Sequence, residues 1–157
     1  KGDGGTQKGE LISPVIPLGE PEVFNLKSKT IESINGKWTL LFFVENECNQ
    51  LCEDKLYQLR QIRLALGKDR DKVDRLLVSK NKKQWSQYTK SFNGQKYIDP
   101  TSRDYNRLIK KFNDYAGLDL KATYLIDPYG FLMMKYPQDD NPMGTIKDIE
   151  RLIKNQM

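Results

Sequence analysis

The apolar positions of this chain follow two kinds of pattern, and the change between them is sharpest from Trp38 to Leu66. Trp38, Leu40, Leu41, Phe42, Phe43 and Val44 form a run without alternation. Such a run suits a strand covered on both faces, as in a parallel sheet. After Glu45 the period changes. Leu56, Leu59, Ile62 and Leu66 are spaced by three, three and four, which draws one apolar stripe on a helix. Gly67 follows the stripe, where a helix commonly ends.

The rest of the chain extends this unit. Val73 and Leu76-Leu77-Val78 read as a second core strand, so strand, helix and strand form a right-handed βαβ unit. Ahead of it, Val23–Leu26 and Lys29–Ile31 are short strand-like pieces, and Asn35-Gly36 is a turn signal. Residues 1–22 carry Gly2, Gly4, Gly5, Gly9, Pro14, Pro17, Gly19 and Pro21, the composition of a flexible leader or tether. Residues 81–94 are polar with Trp85, Tyr88 and Phe92 as packing anchors. Asp99-Pro100 predicts a helix start, with Asp99 as cap and Tyr105, Leu108, Ile109 and Phe112 as its apolar face. Ala122–Ile126 predicts a third strand, Asp127–Gly130 a turn and Phe131–Tyr136 the returning strand. Asn141-Pro142 starts a last helix lined by Ile146, Ile149, Leu152 and Ile153. This order is that of thioredoxin. The expected architecture is an α/β, thioredoxin-like fold with an N-terminal hairpin extension, spanning residues 23–157 behind a leader of residues 1–22.

At 157 residues the chain fits one domain with a real core. Its net charge of +5 comes with basic clusters at Arg60, Arg63, Lys68, Arg70, Lys72 and Arg75, then Lys80, Lys82 and Lys83. Asp69, Asp71 and Asp74 interrupt the first cluster, so a solvated basic face is the main reading. Attraction to an anionic membrane surface or an acidic partner is the other. No nucleic-acid motif accompanies the charge, so no nucleic-acid partner is expected. The absence of histidine excludes a Ser-His-Asp site, and no glycine-rich phosphate loop occurs. No stretch reaches the length of a membrane span. The chain starts at Lys1, as a mature or truncated form would, which leaves room for a removed N-terminal anchor.

The two cysteines, Cys48 and Cys52, fall in the strand-to-helix corner. A helix N-terminus favours a thiolate through its unpaired N–H groups and partial positive charge. Residues four apart on a helix have Cα atoms roughly 6 Å apart, within disulfide range and close enough for two sulfurs to grip one soft ion. Glu45, Glu47, Glu53 and Asp54 oppose the helix field by raising thiol pKa values. Four readings stand at this point: a redox-active dithiol, a Cu(I) site, a structural staple and a pair with no chemistry. Met133, Met134 and Met143 are soft donors. Met133 and Met134 are adjacent on a strand and should point to opposite faces, so one at most could join a site.

The C-x-x-x-C corner, with GKWTLLFF, LYQLRQIRLALGKDRDKVDR and YLIDPYGFLMMKYP, resembles the Sco/SenC family. More closely it resembles a bacterial, membrane-anchored branch associated with cytochrome oxidase. The resemblance covers Leu18 to the C-terminus. It implies a thioredoxin fold and a role in cytochrome c oxidase assembly, with Cys48 and Cys52 exchanging disulfides or binding Cu(I). In that exchange Cys48 would attack and Cys52 resolve. It also implies a location at the periplasmic face of the inner membrane, through an N-terminal anchor. The partner would be an oxidase subunit or another thiol protein. Two features depart from the family, and a third from thiol oxidoreductases of this fold. Sco proteins place a histidine copper ligand just before the Y-L-I strand, where this chain has Gly117-Leu118-Asp119-Leu120-Lys121. The proline that often follows the cysteine pair is Glu53 here. Lys121 stands where many thiol oxidoreductases of this fold carry a cis-proline, and a trans peptide is expected there.

Overall fold

A computed structural model describes residues 7–156 apart from 84, 86, 87 and 89–91. Its centre is β4 (Trp38–Val44), buried at every position. β4 runs parallel to β5 (Val73–Ser79), with Leu41 opposite Leu76, and antiparallel to β7 (Thr123–Ile126), with Leu41 opposite Tyr124. The continuous apolar run follows from helices on both sheet faces. Leu40 and Phe42 pack with α1 (Gln50–Ala65) and α3 (Pro142–Lys154) through Leu56, Leu59, Ile62, Ile149 and Ile153. Leu41 and Phe43 pack on the opposite face with α2 (Arg103–Asn113) through Tyr105, Leu108 and Phe112. There the Phe43 and Phe112 rings meet edge-on, centroids 5.0 Å apart.

Eight strands form one sheet, ordered β1-β8-β7-β4-β5-β6-β2-β3. β2 (Glu22–Asn25) and β3 (Thr30–Ser33) are the expected hairpin and lie at one edge. The short strand β6 (Lys96–Tyr97), which the apolar pattern did not mark, ties them to β5. Lys96 makes this join with its buried ammonium group, which reaches Glu32 at 2.6 Å and Asp74 at 2.8 Å. β8 (Phe131–Tyr136) pairs with β7. The Asp127–Gly130 turn between them also accepts amide hydrogen bonds from Leu18 and Gly36, at Gly130 and Pro128 carbonyls.

Several expectations change. The leader assigned to residues 1–22 contains a strand, β1 (Glu10–Pro17), paired with β8 along the other sheet edge. Two contacts hold it. Ile12 and Leu18 are buried. The buried Asp148 carboxylate accepts the Lys8 and Gly9 amides at 2.7 and 2.8 Å, and the Tyr136 hydroxyl at 2.8 Å. Gly9 lies so close to the Tyr136 ring that an added Cβ would stand 2.6 Å from it. The first six residues of the leader lie outside the described residues.

Helix α2 starts at Arg103 with Ser102 as its cap, three residues beyond the expected Asp99. Asp99 instead accepts from the Thr101 amide and hydroxyl, at 2.9 and 2.8 Å. A short polar side chain bonded to its own downstream backbone competes with helix capping in this way. Gly67, expected at the end of the first helix, takes φ +58° and opens a 3-10 turn, Gly67–Lys72.

Met133 and Met134 do not divide between the faces. A register shift in β8 brings Leu132 opposite Ile126 and Met134 opposite Leu125. The extra residue in the bulge breaks the period of two. Met133 and Met134 both pack in the α1/α3 core, whereas Leu132 packs in the α2 core.

Arg75, assigned to a solvated basic cluster, is 1% exposed on β5. Its Nη2 donates to the Asn93 carbonyl at 2.6 Å. Burial, then the neighbouring Arg63 and Arg60, pulls its pKa down to about 10.

Candidate functional site

The corner between β4 and α1 is built by Asn49. Its side chain accepts the Cys52 amide at 3.0 Å, and its carbonyl accepts the Glu53 amide at 3.0 Å. This cap sets Cys48 just outside the helix and Cys52 in its first turn. The two cysteines are joined in a disulfide, with Cα atoms 5.1 Å apart. Both are half-buried against the α1/α3 core. Tyr88 also touches this corner: the Cys48 backbone hydrogen-bonds its hydroxyl, while burial pushes the phenol pKa up. Tyr88 was legible only as a packing anchor. Its distance of forty residues from Cys48 carries no local signal.

An open cavity of about 260 Å³ lies beside the disulfide. Cys52, Leu51 and Lys55 of α1 line it, with Glu45 and Glu47 on the connecting loop. Leu120 and Lys121 close the side nearest β7, and Gln138 completes the wall. The segment that replaces the Sco histidine therefore does face the cysteine corner, but it brings a leucine and a lysine. The Leu120–Lys121 peptide, the bond a cis-proline at position 121 would occupy, is trans.

Charges around the cavity are mixed. Burial pulls the Lys55 pKa down, and Asp140 and Asp139 partly restore it. Its ammonium donates to Gln58 at 2.9 Å. Of the four carboxylates expected near the pair, Glu45 and Glu47 line the cavity. Asp54 is bonded by Gln50 at 2.8 Å, and Glu53 sits in the first turn of α1. Leu51 is 64% exposed and Leu120 37%, so the disulfide has an apolar rim. An exposed apolar rim beside a disulfide is a surface on which a protein partner can dock.

The residues present do not fit a three-donor copper site. The chain has no histidine. Among the described residues, no three His, Cys, Asp or Glu side chains gather as a metal group. Met134 is buried with its sulfur 3.1 Å from the Tyr136 hydroxyl, and Met143 lines a separate cavity beside Lys8. Two thiolates remain, a soft pair suited to Cu(I) once the disulfide is reduced.

Comparison with known proteins places this geometry in context. Residues 38–155 match the family profile described as transmembrane-like, thioredoxin-like, C-terminal domain. No curated protein sequence matches the chain. Among solved structures, copper-bound ScoI of Bradyrhizobium japonicum is similar at TM-score 0.66 and 21% identity, covering 87% of this chain and 98% of its own. A SCO1/SenC family lipoprotein from Bacillus anthracis superposes at TM-score 0.67 and 16% identity, covering 90% and 99%. BsSco, described as a Sco-family cytochrome c oxidase assembly protein with a disulfide switch, gives TM-score 0.66 and 13% identity, covering 96% and 98%. No helix among the described residues is long and apolar enough to cross a membrane. The match over residues 38–155 shows that the chain belongs to the family of transmembrane-like, thioredoxin-like C-terminal domains, and the Sco structures share its fold.

Proposed function

We propose that this protein is an extracytoplasmic thiol–disulfide exchange protein, held at the periplasmic face of the inner membrane, that assists cytochrome c oxidase assembly. The observation that carries the chemistry is the Cys48–Cys52 disulfide beside an open cavity with an apolar rim. A structural staple has little to recommend it here, because closing so short a loop removes little chain entropy. The similarity to BsSco and to the Bacillus anthracis lipoprotein supports the oxidase and anchoring parts of the reading.

In the reduced state Cys48 attacks a partner disulfide as thiolate. The partner S–S bond breaks, one partner thiolate leaves, and a mixed disulfide forms. Cys52 then attacks the Cys48 sulfur. The second partner thiolate leaves, and the Cys48–Cys52 bond forms. Two electrons pass from this protein to its partner, whose thiolates take up two protons. A dithiol donor reverses the state of the pair between turnovers. Cys48 suits the attacking role because it lies outside the helix, beside exposed Glu47 and Asn49.

One observation favours the opposite assignment: Cys52, not Cys48, lines the cavity. Trapping separates the two. Cys52→Ser is expected to accumulate mixed disulfides through Cys48, detected by mass spectrometry after a thiol quench. Accumulation through Cys52 in Cys48→Ser alone would exchange the roles.

A second reading, favoured by the copper-bound ScoI of the same fold, makes Cu(I) a cargo held by the reduced Cys48 and Cys52. The donor set limits this to two thiolates, and the exchange steps above do not pass through the metal.

A further inference from the structure

A second cavity, of about 530 Å³, opens at the carboxyl ends of β4 and β5, beneath α2. That volume lies within the roughly 300–1,000 Å³ of ordinary ligand pockets. Its floor is apolar and largely aromatic: Phe43, Val78, Tyr105, Ile109 and Phe112, with Leu118 from the following loop. Tyr105 is 7% exposed, and its hydroxyl makes no hydrogen bond among the described residues. The hydroxyl is not among the fully enclosed unpartnered atoms, so water or a ligand in the cavity can take up its hydrogen bond. This cavity adjoins the first, because Phe43, Val44, Glu45, Asn46 and Leu120 line both. A segment lying across Leu120 can therefore reach the disulfide with one side chain and the second cavity with another.

We propose that the second cavity is an anchor site for an aromatic side chain of the redox partner, carried on the segment whose cysteine meets Cys48–Cys52. This rests on the exchange reading above and names the partner sequence that the site would select. Tyrosine or tryptophan suits the floor, since each has an apolar body and a polar tip that can answer the Tyr105 hydroxyl. Glu45 is the one charged residue that lines both cavities, whereas Glu47, Lys55 and Lys121 line only the first and Lys80 only the second. Glu45 is exposed, so the part of the segment that crosses between the cavities is expected to carry a lysine or arginine.

The test uses the oxidised full chain and a set of short synthetic peptides. Each has one cysteine, one lysine, and a tryptophan two to five positions from the cysteine, with alanine-for-tryptophan controls. Two peptide thiols become one peptide disulfide, and the protein disulfide becomes two thiols, so the loss of the Cys48–Cys52 bond reports the rate. Burying one large aromatic group in the encounter should accelerate at least one tryptophan peptide by roughly tenfold over its control.

Asn113→Trp, at an exposed position of α2 that lines the second cavity, should fill it. That variant should erase the tryptophan advantage while reduction by dithiothreitol stays within about twofold of wild type. Equal rates for tryptophan and alanine peptides at every spacing would overturn the anchor and leave the exchange reading standing. A disulfide that neither peptide nor dithiothreitol opens would instead sink the exchange reading. The anchor is then judged by methyl NMR with tryptophan peptides carrying serine for cysteine. Saturating shifts at Ile109 and Leu118 support it. Unmoved signals, or shifts given equally by free indole and by the peptide, overturn a peptide site.

Discussion

Three side chains set the chemistry of the corner. Asn49 fixes the helix start, and Cys48 and Cys52 fall on either side of it. Without an imidazole, the reduced pair offers two soft donors, which suit Cu(I), whereas Cu(II) prefers nitrogen and oxygen. Anaerobic titration followed by desalting should retain no Cu(II), and at most one Cu(I) per chain. A strong thiolate-to-Cu(II) absorption band after desalting would show a third ligand that the geometry does not supply.

A second residue-scale prediction concerns the Lys96 cluster. The Lys96 hydrogen bond lowers the Glu32 pKa below 4.5, against burial, so the cluster binds fewer protons folded than unfolded as pH falls. Its contribution is present above about pH 4.5 and is lost as pH drops through the folded value. Burial alone would lower the Lys96 pKa, but its bonds to Asp74 and Glu32 raise it above 10.5. That contribution is present below about pH 10.5 and is lost as pH rises through the folded value. Urea melts of Lys96→Met against wild type should therefore show a stability gap widest between about pH 5 and 10. A gap that does not change with pH would contradict the ionic account. Of these residues, only the cysteines were legible in the sequence. Lys96 and Arg75 look like ordinary surface cations until the sheet closes over them, because burial of a charge depends on partners far along the chain.

At the scale of elements, α1 carries the site and depends on its inner face. Leu59 is 1% exposed and Ile62 3%. Truncating either to alanine should cost about 2–5 kcal/mol, as buried large-to-small changes do. Urea melts check this, and losses below about 0.5 kcal/mol at both positions would contradict the packing. The stripe of α1 and the run of β4 were legible because each pattern is continuous and each face is buried. β1 was not legible. Its prolines and neighbouring glycines suggest a tether, and what orders it is a carboxylate on α3, 139 residues away from Gly9. The β8 bulge escaped for a related reason. A period of two presumes unbroken pairing, and one inserted residue exchanges the faces.

For the molecule as a whole, the strand–helix–strand unit, the hairpin and the last helix were readable in order, and the thioredoxin-like fold followed from that order. The eight-stranded sheet was not readable at its edges, where β1 and β6 depend on pairing alone. The fold places two half-buried sulfurs beside an open cavity, and the account stands on the sulfurs being a working couple. The measurement that tests this most directly is an equilibrium redox titration of the folded protein in thiol–disulfide buffers, read by alkylation and mass. The account predicts one two-electron transition of Cys48 and Cys52, identical from the oxidised and the reduced side, with a slope near 30 mV per decade. A disulfide that stays closed in every buffer, or opens only when the chain unfolds, would contradict it.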